Sequence, residues 1–256
     1  MRRRHLLLLC PLIAGVFAIG SRAGFFSTAS AQQPAARAAR PAKKLRPGEI
    51  DPQSSRVYIL VGKTGLGHDH GIEGKIQSGR LKLGATEKGG QIEFNLRSFV
   101  ADTATARAYV GLSGKTDQGT ADKVTKNMLG SAVLDVANFP TATFEVKSIA
   151  RLKSREGEPR QFQLEGDFTL HGAKNPIKFK ALADEADGFI HLRGAFGILQ
   201  TDYGITPFSQ AFGAVGVADQ LTIYGDLWIV AGEVEEDETP VESATRPNPK
   251  SAVRRR

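Results

Sequence analysis

Residues 161 to 171 read Gln-Phe-Gln-Leu-Glu-Gly-Asp-Phe-Thr-Leu-His. Phe162, Leu164, Gly166, Phe168 and Leu170 fall on one side of an extended chain, and Gln161, Gln163, Glu165, Asp167, Thr169 and His171 on the other. Successive side chains alternate across a strand, so this stretch predicts a strand with one apolar face and one wet face. The same phase recurs at Ile92, Phe94 and Leu96, at Ile177 and Phe179, at Ile190, Leu192, Phe196 and Ile198, and at Leu221, Ile223, Leu227 and Ile229. Strands of this kind dominate from Arg56 to Val230.

Turn signals separate them: Gly89-Gly90, Glu156-Gly157-Glu158-Pro159, Ala173-Lys174-Asn175-Pro176 and Asp187-Gly188. The gaps are short, which makes sequence neighbours antiparallel neighbours in space. One stretch departs from the alternation. Val124, Met128 and Leu129 stand at helical spacing between Thr120, a residue suited to an N-cap, and Gly130, suited to a C-cap, so a short helix is expected over 120–129. Seven or eight one-sided strands with so little helix can hide their apolar faces only on one another. The expected fold is therefore all-β: an antiparallel barrel of eight strands, or a sandwich. Gly166, Gly194 and Gly225 lie in phase with the large apolar residues, where they either leave room for a ligand or mark tight corners.

The flanks have a different composition. Arg2, Arg3 and Arg4 precede an apolar run from Leu6 to Gly20, and Ala29-Ser30-Ala31 offers an exit. This pattern reads as a secretory signal peptide over 1–31, because the run is shorter than the roughly 20 apolar residues a membrane span needs. Arg3-Arg4 also outlines a twin-arginine signal, but a general secretory signal with a basic start is favoured, and the expected location is the periplasm. Cys10 is the only cysteine and lies within the signal, so disulfides and thiol chemistry are excluded from the mature chain. Residues 32–48 form an Ala/Pro/Arg-rich linker, and 233–256 an acidic-then-basic tail with nothing to bury. The whole chain has 34 Lys and Arg against 27 Asp and Glu, a formal charge of +7, but residues 49–232 have 20 against 21. Basicity belongs to the flanks, and a nucleic-acid partner loses its support. The arms would instead make peripheral contact with anionic envelope membrane.

Several motifs in this central span resemble one known family. These are Asn138-Phe139-Pro140-Thr141-Ala142-Thr143-Phe144, the run Gly166 to Gly172 leading into Asn175-Pro176-Ile177, the opening Asp51 to Gly62, and Asp202-Tyr203-Gly204-Ile205 with Val217 to Leu227. They are similar to the YceI-like family, largely exported bacterial proteins. The resemblance covers 49–232 and implies a lipocalin-like antiparallel eight-stranded β-barrel with the short helix near one opening. It further implies a polyisoprenoid or similar long-chain lipid in the lumen, no cofactor and no catalysis. A long-chain isoprenoid, isoprenoid quinone or fatty amphiphile gains about 0.8 kcal/mol per CH₂ taken out of water, so an apolar tube needs no reactive group to bind it. By phase, the expected wall residues are Phe94, Leu96, Phe144, Val146, Phe168, Leu170, Leu192, Phe196, Ile198 and Leu227. Tyr203, Phe208 and Phe212 around Gly213-Ala214-Val215-Gly216 read as an apolar loop at the barrel rim.

Gly65-Leu66-Gly67-His68-Asp69-His70-Gly71 departs from the family pattern. Histidines two apart on an extended chain face one side, so His68 and His70 are candidate ligands for Zn²⁺ or Cu²⁺, with Asp69, His171 or His191 as further donors. Zinc sites use three or four protein ligands, and spacing supplies only two. No nucleophile elbow, phosphate loop or dinucleotide fingerprint is present. Two readings stand beside the lipid carrier: a metal- or haem-associated protein using His68 and His70, and an interaction module with a solid barrel. The sequence leaves the oligomeric state open, homodimer included.

Overall fold

The computed structural model describes residues 44–155 and 157–232. The signal peptide expected over 1–31, most of the 32–48 linker and the 233–256 tail lie outside the described residues. Eight long strands follow in order: β1 (Arg56–Gly65), β2 (His70–Leu81), β3 (Gly90–Ala101), β4 (Thr141–Arg151), β5 (Arg160–Leu170), β6 (Ala173–Ala186), β7 (Phe189–Leu199) and, after the two-residue β8 (Ser209–Gln210), β9 (Val215–Val230). Each pairs antiparallel with the next, β7 pairs with β9, and β1 pairs with β9 from Arg56↔Asp226 to Gly65↔Val215. That last ladder closes the sheet into a barrel, while β8 adds only two rungs to β9. Closure removes most of the free edges an open sheet of this length would expose.

The alternation at 161–171 is the register of β5: Phe162, Leu164, Gly166, Phe168 and Leu170 are buried and their neighbours face outward. Gly166 marks a corner of the barrel. A Cβ there would lie 2.2 Å from the Glu145 carbonyl oxygen and 2.8 Å from the Phe144 ring, opposite the register shift between Val146 and Ser148. Gly225 differs: a Cβ there would meet only Leu227, at 3.8 Å.

Two sequence expectations change. Ala173–Pro176 is the start of β6 rather than a turn; the β5–β6 turn is His171-Gly172, with φ of 50° and 80°. Pro176 is tolerated because the β6–β7 ladder runs only from Ala181↔Gly194 to Ala186↔Phe189, leaving β6 without a partner on that side over 173–180. The resulting gap is filled by Phe179 and Phe196, whose rings lie 5.0 Å apart, and by the short 3-10 turn Gln200–Tyr203. Second, the described residues contain two α-helices. α2 spans Gln118–Leu129 and is capped by Asp117, whose carboxylate accepts from Thr120 N, and by Gly130. α1, Ala104–Tyr109, has no apolar stripe; its visible sequence signal is the Thr103 cap.

The barrel has one filled end. There Gly48–Asp51 crosses between β2 and β9, with Ile50 N donating to Gly79 O and Asp51 N to Trp228 O, and it seats Ile50 in the core beside Leu81 and Ile229. At the opposite end β1 finishes, β2 and β9 begin, and α2 packs along β3.

Candidate functional site

At the open end the lumen holds a cavity of about 340 Å³. Its wall is Val57, Ile59 and Val61 of β1, Ile72 of β2, and inward residues of β3, β5, β7 and β9; Val124 and Met128 of α2 close part of the mouth. Most strand positions in the wall follow from the strand period, which sends alternate side chains inward; Phe99, out of phase with Phe94 and Leu96, is turned inward where the β2–β3 register shifts. Of the expected wall residues, Phe94, Leu96, Phe168, Leu170 and Ile198 line this cavity. Phe144, Val146, Leu192 and Leu227 are buried in the packed remainder of the barrel, and Phe196 plugs the β6–β7 gap against Phe168 and Phe179. Val57, Ile59, Val61, Ile72, Leu221 and Ile223 line the cavity as well and have the same inward phase.

The polar lining is sparse: His68, His70, Thr120, Lys123, Asn127, Gln200 and Gln210, with no carboxylate. His70 is held by a buried network that spacing could not reveal. Its Nδ1 lies 2.7 Å from Asp102 Oδ2, and Asp102 Oδ1 accepts from Gly71 N at 3.1 Å and from Arg107 Nη1 at 3.1 Å. Asp102 is 32 residues away and comes alongside because the β2–β3 ladder pairs Ile72 with Ala101. Burial alone would raise the Asp102 pKa, but the hydrogen bonds from His70, Gly71 and Arg107 outweigh it and hold the carboxyl down at about 2. An ionised carboxylate only accepts, so the proton sits on His70 Nδ1, and Nε2 is the ring nitrogen left for the lumen.

α1 supplies Arg107 to this network. It lies outside the barrel on Gly71, where a Cβ would come within 3.0 Å of the helix backbone, and Tyr109 anchors it by stacking on Tyr58 at 4.0 Å. Burial, with Asp226 nearby, pushes the Tyr109 hydroxyl up to about 12.

The structure brings His68 and His70 together, their ring centroids 4.5 Å apart, with Asp102 as the third group in donor range. The further donors expected from sequence are elsewhere. Asp69 accepts from Lys63 N, His171 packs on Phe139 and faces Tyr203 O, and His191 stacks on Trp228 outside the barrel and contacts Asp226. Both Asp102 oxygens are engaged by His70, Gly71 and Arg107, which makes Asp102 an orienting partner for His70. Two imidazoles remain, fewer than the three or four protein ligands of a zinc site.

A family model described as the YceI-like domain matches residues 49–228. The chain belongs to the YceI-like family. Among solved structures, a polyisoprenoid binding domain from Saccharophagus degradans implicated in plant cell wall breakdown is 13% identical, with 73% of this YceI-like chain and 100% of that one covered and a TM-score of 0.50. Burkholderia cenocepacia BcnA is 14% identical over 71% of this chain and 99% of its own, TM-score 0.44, and the Campylobacter jejuni YCEI protein 11% identical over 62% and 85%, TM-score 0.41. No curated protein matches the chain. At such identity the Saccharophagus structure supports the barrel fold alone.

Proposed function

We propose that this YceI-like protein is an exported, non-enzymatic carrier that sequesters a polyisoprenoid, isoprenoid quinone or other long-chain amphiphile in the periplasm. The observation that carries the reading is the lumen cavity, about 340 Å³ and walled almost wholly by apolar side chains. It falls within the usual range for small-molecule pockets, about 300–1,000 Å³. The apolar chain lies along Phe94, Leu96, Phe168, Leu170 and Ile198, and its polar end meets His70 Nε2, Lys123 and Asn127 at the mouth. Transfer of the chain from water supplies the affinity; the few polar groups fix which end faces out. The YceI-like match and the polyisoprenoid binding described for the Saccharophagus domain support the same ligand class. A solid-barrel interaction module finds less support, because the lumen is not filled at this end.

Organic extraction of the protein purified from a lipid-rich host, followed by mass spectrometry, tests the ligand. A bound long-chain lipid is expected; a protein that carries none and cannot be loaded with any overturns the reading. Export is tested by fractionation and N-terminal sequencing, with periplasmic recovery and a first residue at Gln32 expected. Export that stops when Arg3 and Arg4 both become lysine would reassign the route to twin-arginine transport.

A further inference from the structure

The mouth carries a feature that a closed ligand site does not need. Among the described residues, Leu66 and Phe212 are the only large apolar side chains more than half exposed: Leu66 is 86% exposed and Phe212 wholly so. They sit on two different segments tied to each other, since Leu66 N donates to Ala214 O at 2.9 Å and Gly65 pairs with Val215. Phe212 has φ 56° and ψ 36°, a backbone state that bulky residues seldom adopt, and Ala211 before it is also left-handed at φ 50°. The chain thus combines local strain with full hydration of an aromatic ring. Gly67, His68, Phe208, Gln210 and Val215, near Leu66 and Phe212 in the same two segments, line the lumen cavity. Leu199, the mouth-end residue of β7, and Val215 add further exposed apolar surface at the same end, and Lys63 and Lys123 are exposed there too.

We propose that this rim is a membrane-docking surface: Leu66 and Phe212 insert into the interface of a lipid bilayer and set the lumen's opening against it. The proposal rests on the reading of the lumen as a lipid site, because a ligand that resides in a bilayer then enters without crossing water. A protein partner fits less well. An aromatic side chain buries about 150–250 Å², so two isolated tips fall far short of the roughly 800 Å² per partner that a stable protein interface uses. A bilayer accepts single protruding side chains, and amphipathic lysines beside them extend their charged ends to the headgroups.

Flotation of the full-length mature protein with phosphatidylcholine–phosphatidylglycerol vesicles, at high salt to screen the charged arms, tests this. Wild type and Phe212→Trp are expected to float. Trp228 is the chain's one tryptophan, so emission from the new indole should shift to the blue on docking. Leu66→Ser combined with Phe212→Ser should partition at least about tenfold less and still take up a long-chain lipid from detergent micelles. Wild type that stays in solution, a double variant that floats equally well, or a wild-type dimer that the double variant dissolves would each overturn docking; the last would make the rim a self-association face. Failure of wild type to load from micelles while it still floats would count against the lumen reading alone, so the two ideas fail separately.

Discussion

The two ends of the barrel are made from the same eight strands and differ in almost every physical respect. At the filled end Ile50, Leu81, Phe144, Ile149 and Ile229 are each at most 2% exposed, and Gly48–Asp51 ties β2 to β9. At the open end there is a cavity, a buried Asp–His–Arg network, and a bulky aromatic, Phe212, in left-handed backbone, whereas the left-handed non-glycine residues of the filled end are Lys88 and Asp187 in hairpin turns. The contrast teaches that one closed sheet can concentrate its packing at one pole and so tolerate, at the other, unfilled volume and strain of a kind that clusters at functional sites.

The sharpest break of that contrast is Phe144→Ala. It should cost about 3–5 kcal/mol, seen as a lower midpoint in denaturant, whereas an equal loss in lipid affinity of the folded fraction would show that the two poles are coupled. Next in size is Asp102→Asn. The carboxyl's pKa is about 2 in the folded chain against an ordinary value of 3.8, a depressed value, so its contribution is fully present above about pH 4 and is lost as pH falls toward 2. The substitution should remove about 2 kcal/mol at neutral pH and flatten the acid limb of the stability profile between those values. An unaltered acid limb would mean the network adds nothing to folding. Smaller in stability but decisive for function is Ala142→Phe, which fills the lumen from β4: a change within about 1–3 kcal/mol with lipid uptake abolished. Smallest is Lys174→Ala, which removes an ion pair to Glu145 on the outer wall, where both side chains are about half exposed. It should move stability by less than about 0.5 kcal/mol, and a larger shift in thermal unfolding would show the outer wall to be more than a solvated face.

Much of the fold was legible because a strand's period of two is a strictly local signal. The phase of residues 161–171 maps directly onto the burial of β5, and Val124, Met128 and Leu129 mark α2, although its cap is Asp117, three residues before the expected Thr120. α1 was hidden because Ala104–Tyr109 is too short to display a periodic stripe. Ala173–Pro176 reads as a turn, but the chain turns at His171-Gly172, since proline signals a turn unless the strand has an unpaired side. Of the site, the strand period tells which side chains face inward but not at which height the barrel is hollow: Phe94, Leu96, Phe168, Leu170 and Ile198 line the cavity, while Phe144, Val146, Leu192, Phe196 and Leu227 do not. His68 and His70 stand out as neighbours, but Asp102 and Arg107 reach His70 through a ladder register and a helix packed on Gly71, and neither leaves a trace in local spacing.

The segment that plugs the filled end has a further consequence. Gly48 N bonds Val230 O, and Pro47 packs beside Gly232, so the domain's first and last described residues leave from one pole, opposite the opening. A protein immobilised through a handle grafted at either boundary would stand on a sensor surface with its entrance pointing to the bulk. Ligand capture could then be timed without the support obstructing entry.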